Sequence, residues 1–113
     1  MDDTDNLMDE LIKELKKSPE YNQYISNLNE IKNNPELFNR ISDFKTRSLE
    51  IQLRDNIDFI AENNRLQDEY VDMLSNEIVT EFLTAERIYV AKVRALRDKL
   101  ISGAGIELKF IGD

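Results

Sequence analysis

The chain of 113 residues contains no cysteine, no histidine and no tryptophan, and only three glycines and two prolines. Without cysteine there is no disulfide framework, no thiolate nucleophile, and no ligand for an iron–sulfur cluster or a cysteine-based zinc site. Without histidine the commonest general base and metal ligand is missing, and with it the Ser–His and Cys–His nucleophile pairs. No apolar run exceeds the four residues Ile88-Tyr89-Val90-Ala91, whereas a membrane-spanning helix needs about 20. Met1-Asp2-Asp3-Thr4-Asp5 is acidic, whereas a signal peptide opens basic and continues apolar. There is no P-loop, no glycine-rich phosphate cradle and no nucleophile elbow. These absences point to a non-membrane, cytoplasmic protein with no enzymatic activity and no cofactor.

What is present suits one helical domain. Charged residues make up 34% and apolar residues 41% of the chain, too apolar for disorder and too charged for a membrane protein. A folded monomer of this size can bury about two-thirds of its extended surface, enough for one modest core. We expect a single domain over 1–113, with 102–113 as a short tail. All three glycines, Gly103, Gly105 and Gly112, lie in that tail. Between Pro35 and Gly103 no residue forces a break, so a few long helices are expected.

The apolar spacing fills in those helices. Leu7, Met8, Leu11, Ile12 and Leu15 form one stripe, predicted to be buried, on a first helix over Asp5–Lys17. Ser18-Pro19 reads as a cap followed by a first helical residue. It opens a second helix carrying Tyr21, Tyr24, Ile25, Leu28 and Ile31. Asn34-Pro35 repeats the signal for a third, whose stripe runs through Leu37, Phe38, Ile41 and Phe44 and on through Leu49, Leu53, Ile57 and Ile60. Asn63-Asn64 is the one candidate break in the middle. The last helix, over 76–101, has a seam of Ile78, Phe82, Ala85, Tyr89, Val93, Leu96 and Leu100.

That helix would span about 39 Å, longer than the roughly 34 Å diameter of a compact 113-residue globule. The expected architecture is therefore all-α, an elongated helical bundle of about five helices with a long α-hairpin. A hairpin of this kind needs a partner on its second side. Ile78, Phe82, Ala85, Glu86, Tyr89, Val93 and Leu96 are the candidate interface, with a homodimer favoured over other homo-oligomers. Glu86 borders the apolar stripe, where a carboxylate wants a donor.

Charge adds a second candidate surface. The chain carries a net charge of −8, yet Arg87 to Lys99 is basic. Arg87, Arg94 and Arg97, spaced seven and three, share one helical face and form a candidate docking face. Its alternative reading is a solvated side of an amphipathic helix. An acidic chain with no glycine and only Tyr89 as an aromatic among these cations argues against direct nucleic-acid binding. Three acidic clusters, Asp2/Asp3/Asp5/Asp9, Asp55/Asp58/Glu62 and Asp68/Glu69/Asp72, raise the alternative of a carboxylate-based metal- or ligand-binding bundle. The first lacks the spacing of a calcium loop, and a di-iron bundle would need histidine. Solvated helix faces account for all three clusters. In the tail, the alternation of Ile106, Leu108 and Phe110 would let one face pack or pair as a strand.

Several stretches, in order, resemble the YlbF/YmcA family of small helical bacterial proteins. These are Leu11-Ile12-Lys13-Glu14-Leu15-Lys16-Lys17-Ser18-Pro19-Glu20-Tyr21, then Asn34-Pro35-Glu36-Leu37 with Ile41, Phe44 and Gln52. Tyr70-x-x-x-Leu74, Glu81-Phe82-Leu83-Thr84-Ala85-Glu86 and Gly105-Ile106-Glu107-Leu108 complete the series. The resemblance implies an all-helical, oligomeric, cytoplasmic regulatory protein without catalysis. It implies accessory roles in competence, sporulation and biofilm formation. The implied partners are other YlbF-like proteins and ribonuclease Y, whose RNA processing such factors influence. Two departures stand out. The cysteines that hold iron–sulfur clusters in some members are absent, so no cluster is expected. Asn76-Glu77 stands where the family often has Asn-Pro.

Overall fold

The structure is a computed structural model and describes residues 2–107. Among these residues it is all-α, with six helices: α1 (Asp3–Leu15), α2 (Pro19–Lys32), α3 (Pro35–Leu53), α4 (Phe59–Glu69), α5 (Val71–Leu74) and α6 (Glu77–Gly103). Most of their starts have a local chemical cause. Asp2 accepts from the Asp5 amide at 2.9 Å, Asn34 from Leu37 at 3.1 Å and Asp58 from Ala61 at 3.1 Å. Each satisfies a backbone donor that the first helical turn leaves without a partner. Pro35 supplies the preset φ of a first helical residue. Ser18 serves both neighbours: its hydroxyl donates to the Leu15 carbonyl at 2.6 Å and accepts from the Tyr21 amide at 3.2 Å. It therefore closes α1 and opens α2.

The middle of the chain differs from the sequence expectation. The third helix stops at Leu53, and Asn63-Asn64 lies inside α4. The break is at 54–58, where Asn56 takes a left-handed φ of 59° and Asp58 caps α4. Asparagine enters that region more easily than most residues. The apolar period runs on across Leu53, Ile57 and Ile60, so spacing alone gave no sign of the stop. Leu108 and Phe110, two of the three residues of the expected alternating tail, lie outside the described residues.

The chain groups into two compact units, one of residues 1–24 with 84–113 and the other of residues 25–83. The 25–83 unit holds Ile31, Ile41, Ile51, Leu66, Tyr70, Met73, Val79 and Phe82, all buried. There α3 packs on α4 and α5. Buried Asn27 donates from Nδ2 to the Glu81 carbonyl at 3.0 Å, joining α2 to the start of α6. In the other unit Ala85 is the buried apolar residue and Ser18 the buried polar one. No residue of α1 is buried. Its stripe has the spacing expected of a buried face, yet Leu7 is 66% exposed and Ile12 42%, because no element among the described residues covers it.

Candidate functional site

In the 25–83 unit two surface ion pairs gather around a single ring. Arg40, Phe44 and Arg47 recur at four and three positions along α3, and so share one face. Tyr70 sits against that face. The Phe44 ring meets it edge-on at 5.4 Å, while the Arg40 and Arg47 guanidiniums lie 5.5 and 5.7 Å from its centroid. Each arginine also grips a carboxylate with both terminal nitrogens. Arg40 bonds Asp72 at 3.2 Å on each branch, and Arg47 bonds Glu69. Guanidinium geometry suits this two-point grip. The hydrogen bonds from Arg47 and Arg40 hold the Glu69 and Asp72 carboxyls below their ordinary range.

Several members of the acidic clusters have local partners. Glu69 and Asp72 are engaged by arginines, Asp58 caps α4 and Glu62 bonds Arg65 at 2.9 Å. Among the described residues no three acidic side chains gather where they could hold a metal ion.

The other unit presents a different surface. Tyr21, Tyr24 and Tyr89 cluster with ring centroids 5.1 to 6.4 Å apart. Burial, and then the nearby Glu86 charge, push the Tyr24 phenol above its ordinary value. Lys92 reaches Glu20 at 3.1 Å. Backbone hydrogen bonding foremost, then that contact, holds the Glu20 carboxyl low. Beyond the tyrosines, α1 and the last turns of α6 border an open apolar groove of about 710 Å³. Met8, Leu11, Ile12 and Leu15 form one wall and Val93, Leu96 and Leu100 the other, with Arg97 and Lys99 at the edge. Large contiguous apolar surface rimmed by charge is the usual mark of an interaction site.

The residues that the sequence singles out fall into distinct settings. Phe82 and Ala85 are buried inside the chain, with Lys45 placed 5.6 Å from the Phe82 ring centroid. Ile78 is on the surface, and Val79 beside it is fully buried, so the inward face of α6 begins one position later than the seam predicts. Glu86 and Tyr89 are half-buried among the tyrosines. Val93 and Leu96 line the groove. Arg87 and Arg94 are exposed, and Arg97 contacts Asp98 at 2.9 Å. Sequence reasoning missed the Tyr70 clasp and Asn27. Asn27 had one available signal, a polar residue four before Ile31 on an otherwise apolar face.

Comparison with known proteins decides the family. The family described as control of competence regulator ComK, YlbF/YmcA, matches residues 5–99. The chain belongs to the YlbF/YmcA family. That match takes in most of α1, all of α2 to α5 and most of α6, and with them all of the clasp and most of the groove. No match was found among curated proteins or among solved structures. No helix among the described residues is long and apolar enough to cross a membrane.

Proposed function

We propose that this YlbF/YmcA protein is a non-catalytic regulatory factor that works in the bacterial cytoplasm by binding other proteins, including copies of itself. The observation that carries the reading is the open apolar groove in a chain of a regulatory family. The groove offers a large apolar surface with charged edges, suited to a helix from a partner. The family description supports a place in the control of competence. Its extension to sporulation, biofilm formation and ribonuclease Y-linked RNA processing rests on the family resemblance.

A tagged copy expressed in its native cytoplasm tests this. Recovery of ribonuclease Y or other YlbF-like proteins, lost when Leu11 and Leu96 are both replaced by glutamate, supports the reading. Recovery of neither, with competence unchanged on deletion, contradicts it.

A further inference from the structure

We propose that the outward face of the C-terminal half of α6 docks an acidic amphipathic helix from another protein. This face lies away from the groove, and the inference stands without it.

Three observations point to that partner. First, residues 87–99 carry a coiled-coil pattern on an exposed surface. Ile88, Ala91 and Ala95 recur at three and four positions, as the a and d residues of a heptad do. Ile88 is 46% exposed, and both alanines are exposed. Val93, Leu96 and Leu100, which line the groove, lie on a different side of the helix, roughly 130° away. Second, cations flank the seam on both sides. With Ile88 and Ala95 at a, Arg87 and Arg94 fall at g, and Lys92 and Lys99 at e. Those are the positions whose salt bridges select a partner helix. All four are positive in a chain of net charge −8. Third, most of this charge is uncommitted. Among the described residues Arg87, Arg94 and Lys99 are in no ion pair. Lys92 alone of the four is engaged, by Glu20 at 3.1 Å.

Complementarity then sets the occupant. Carboxylates at the e and g positions of a facing helix meet all four cations, and the two alanines let its backbone approach closely. The same cations repel a second copy of this face, which selects a different helix. Residues 87–99 carry +4, from five cations against Asp98, which leaves −12 on the rest of the chain. A phosphate backbone meets repulsion from that remainder and makes no use of Ile88. Asp98, held by Arg97 at 2.9 Å, ends the seam at its next d position. The face is therefore about 20 Å long, a little under two heptads.

Two labelled peptides of about three heptads test the face. Both have leucine at a and alanine at d; one has glutamate at every e and g position, the other lysine. Fluorescence anisotropy with the full chain in low salt should show the glutamate peptide binding and the lysine peptide not binding. One variant carries Arg87→Glu, Arg94→Glu and Lys99→Glu. It should bind the glutamate peptide at least about tenfold more weakly and take up the lysine peptide instead, a gain that misfolding cannot produce. Ile88→Asp should also weaken the glutamate peptide, because the seam loses its one large apolar side chain.

Equal binding of both peptides, binding of neither, or a charge-reversed variant that keeps its preference for glutamate overturns the proposal. So does tighter binding of single-stranded oligouridine, or of phosphatidylglycerol vesicles, than of the glutamate peptide at the same salt. Light scattering checks the remaining occupant: self-association that weakens on Arg87→Glu and Arg94→Glu alone would assign the face to a second copy and overturn the proposal.

Discussion

The two units put similar sequence material to different use. Both contain helices with apolar stripes, and both contain arginines and acidic residues. In 25–83 the stripes close on one another, burying Ile31, Leu66 and Val79 almost completely. Its surface charges pair across helices around Tyr70. In 1–24 with 84–113, the α1 stripe faces an open groove, and the ion pairs lie between near neighbours or at Lys92–Glu20. The difference teaches that amphipathic spacing reports a face that must be covered, without saying by what. The 25–83 unit closes much of its apolar surface within the chain, although Leu49, Leu53 and Ile60 stay exposed; in the other unit the whole α1 stripe stays open.

Substitutions in the two units should therefore separate widely. Leu66→Ala removes a side chain that is 2% exposed and should cost about 3 kcal/mol. Leu7→Ala, at an exposed position outside the groove, should stay within about 0.5 kcal/mol. Urea unfolding of both variants measures the contrast, and equal losses would break it. Asn27→Ala comes next. Its loss takes a buried donor from the Glu81 carbonyl and should cost about 1 kcal/mol, read from the same transitions.

Acid sharpens the contrast in another way. Glu69 and Asp72 are held below their ordinary range, chiefly by hydrogen bonds from Arg47 and Arg40. A carboxyl depressed in the folded state stabilises above its unfolded value, about 4, and loses that contribution as pH falls through the lower folded one. Stability of 25–83 should hold from neutral pH down to about 5 and then drop. The drop should be shallower in an Arg40→Gln/Arg47→Gln double variant, followed by the urea midpoint against pH. A drop of equal slope in that variant would remove the clasp from the account.

The smallest effect is alkaline. Tyr24 is raised by burial and by Glu86. A phenol raised in the folded state stabilises below its unfolded value near 10 and loses that contribution as pH rises through the folded one. Tyrosinate absorbance should show a late-titrating ring that disappears in Tyr24→Phe.

Much of the fold was legible because its causes are local. Ser18-Pro19 and Asn34-Pro35 mark helix starts through side chains that cap their own neighbours, and the glycines lie at and beyond the end of α6. Gly105, at a φ of 78°, takes a conformation that only glycine enters without strain. The stop at Leu53 was hidden because apolar residues keep helical spacing across it. The Tyr70 clasp was hidden because Arg40 and Arg47 meet residues 22 to 32 positions away. As for the site, the sequence marked Val93, Leu96 and Arg97 as surface to be covered. It did not show that α1 would form the opposite wall, since that depends on which stripe is left open once the others have closed.

Hydrogen exchange measured against protein concentration tests the central claim most directly. The account predicts that amides of Leu7–Leu15 exchange fast in dilute solution and slow as the dimer fills, while those of α3 and α4 stay protected throughout. Protection of α1 that is complete at the lowest concentration, or absent at the highest, would contradict it.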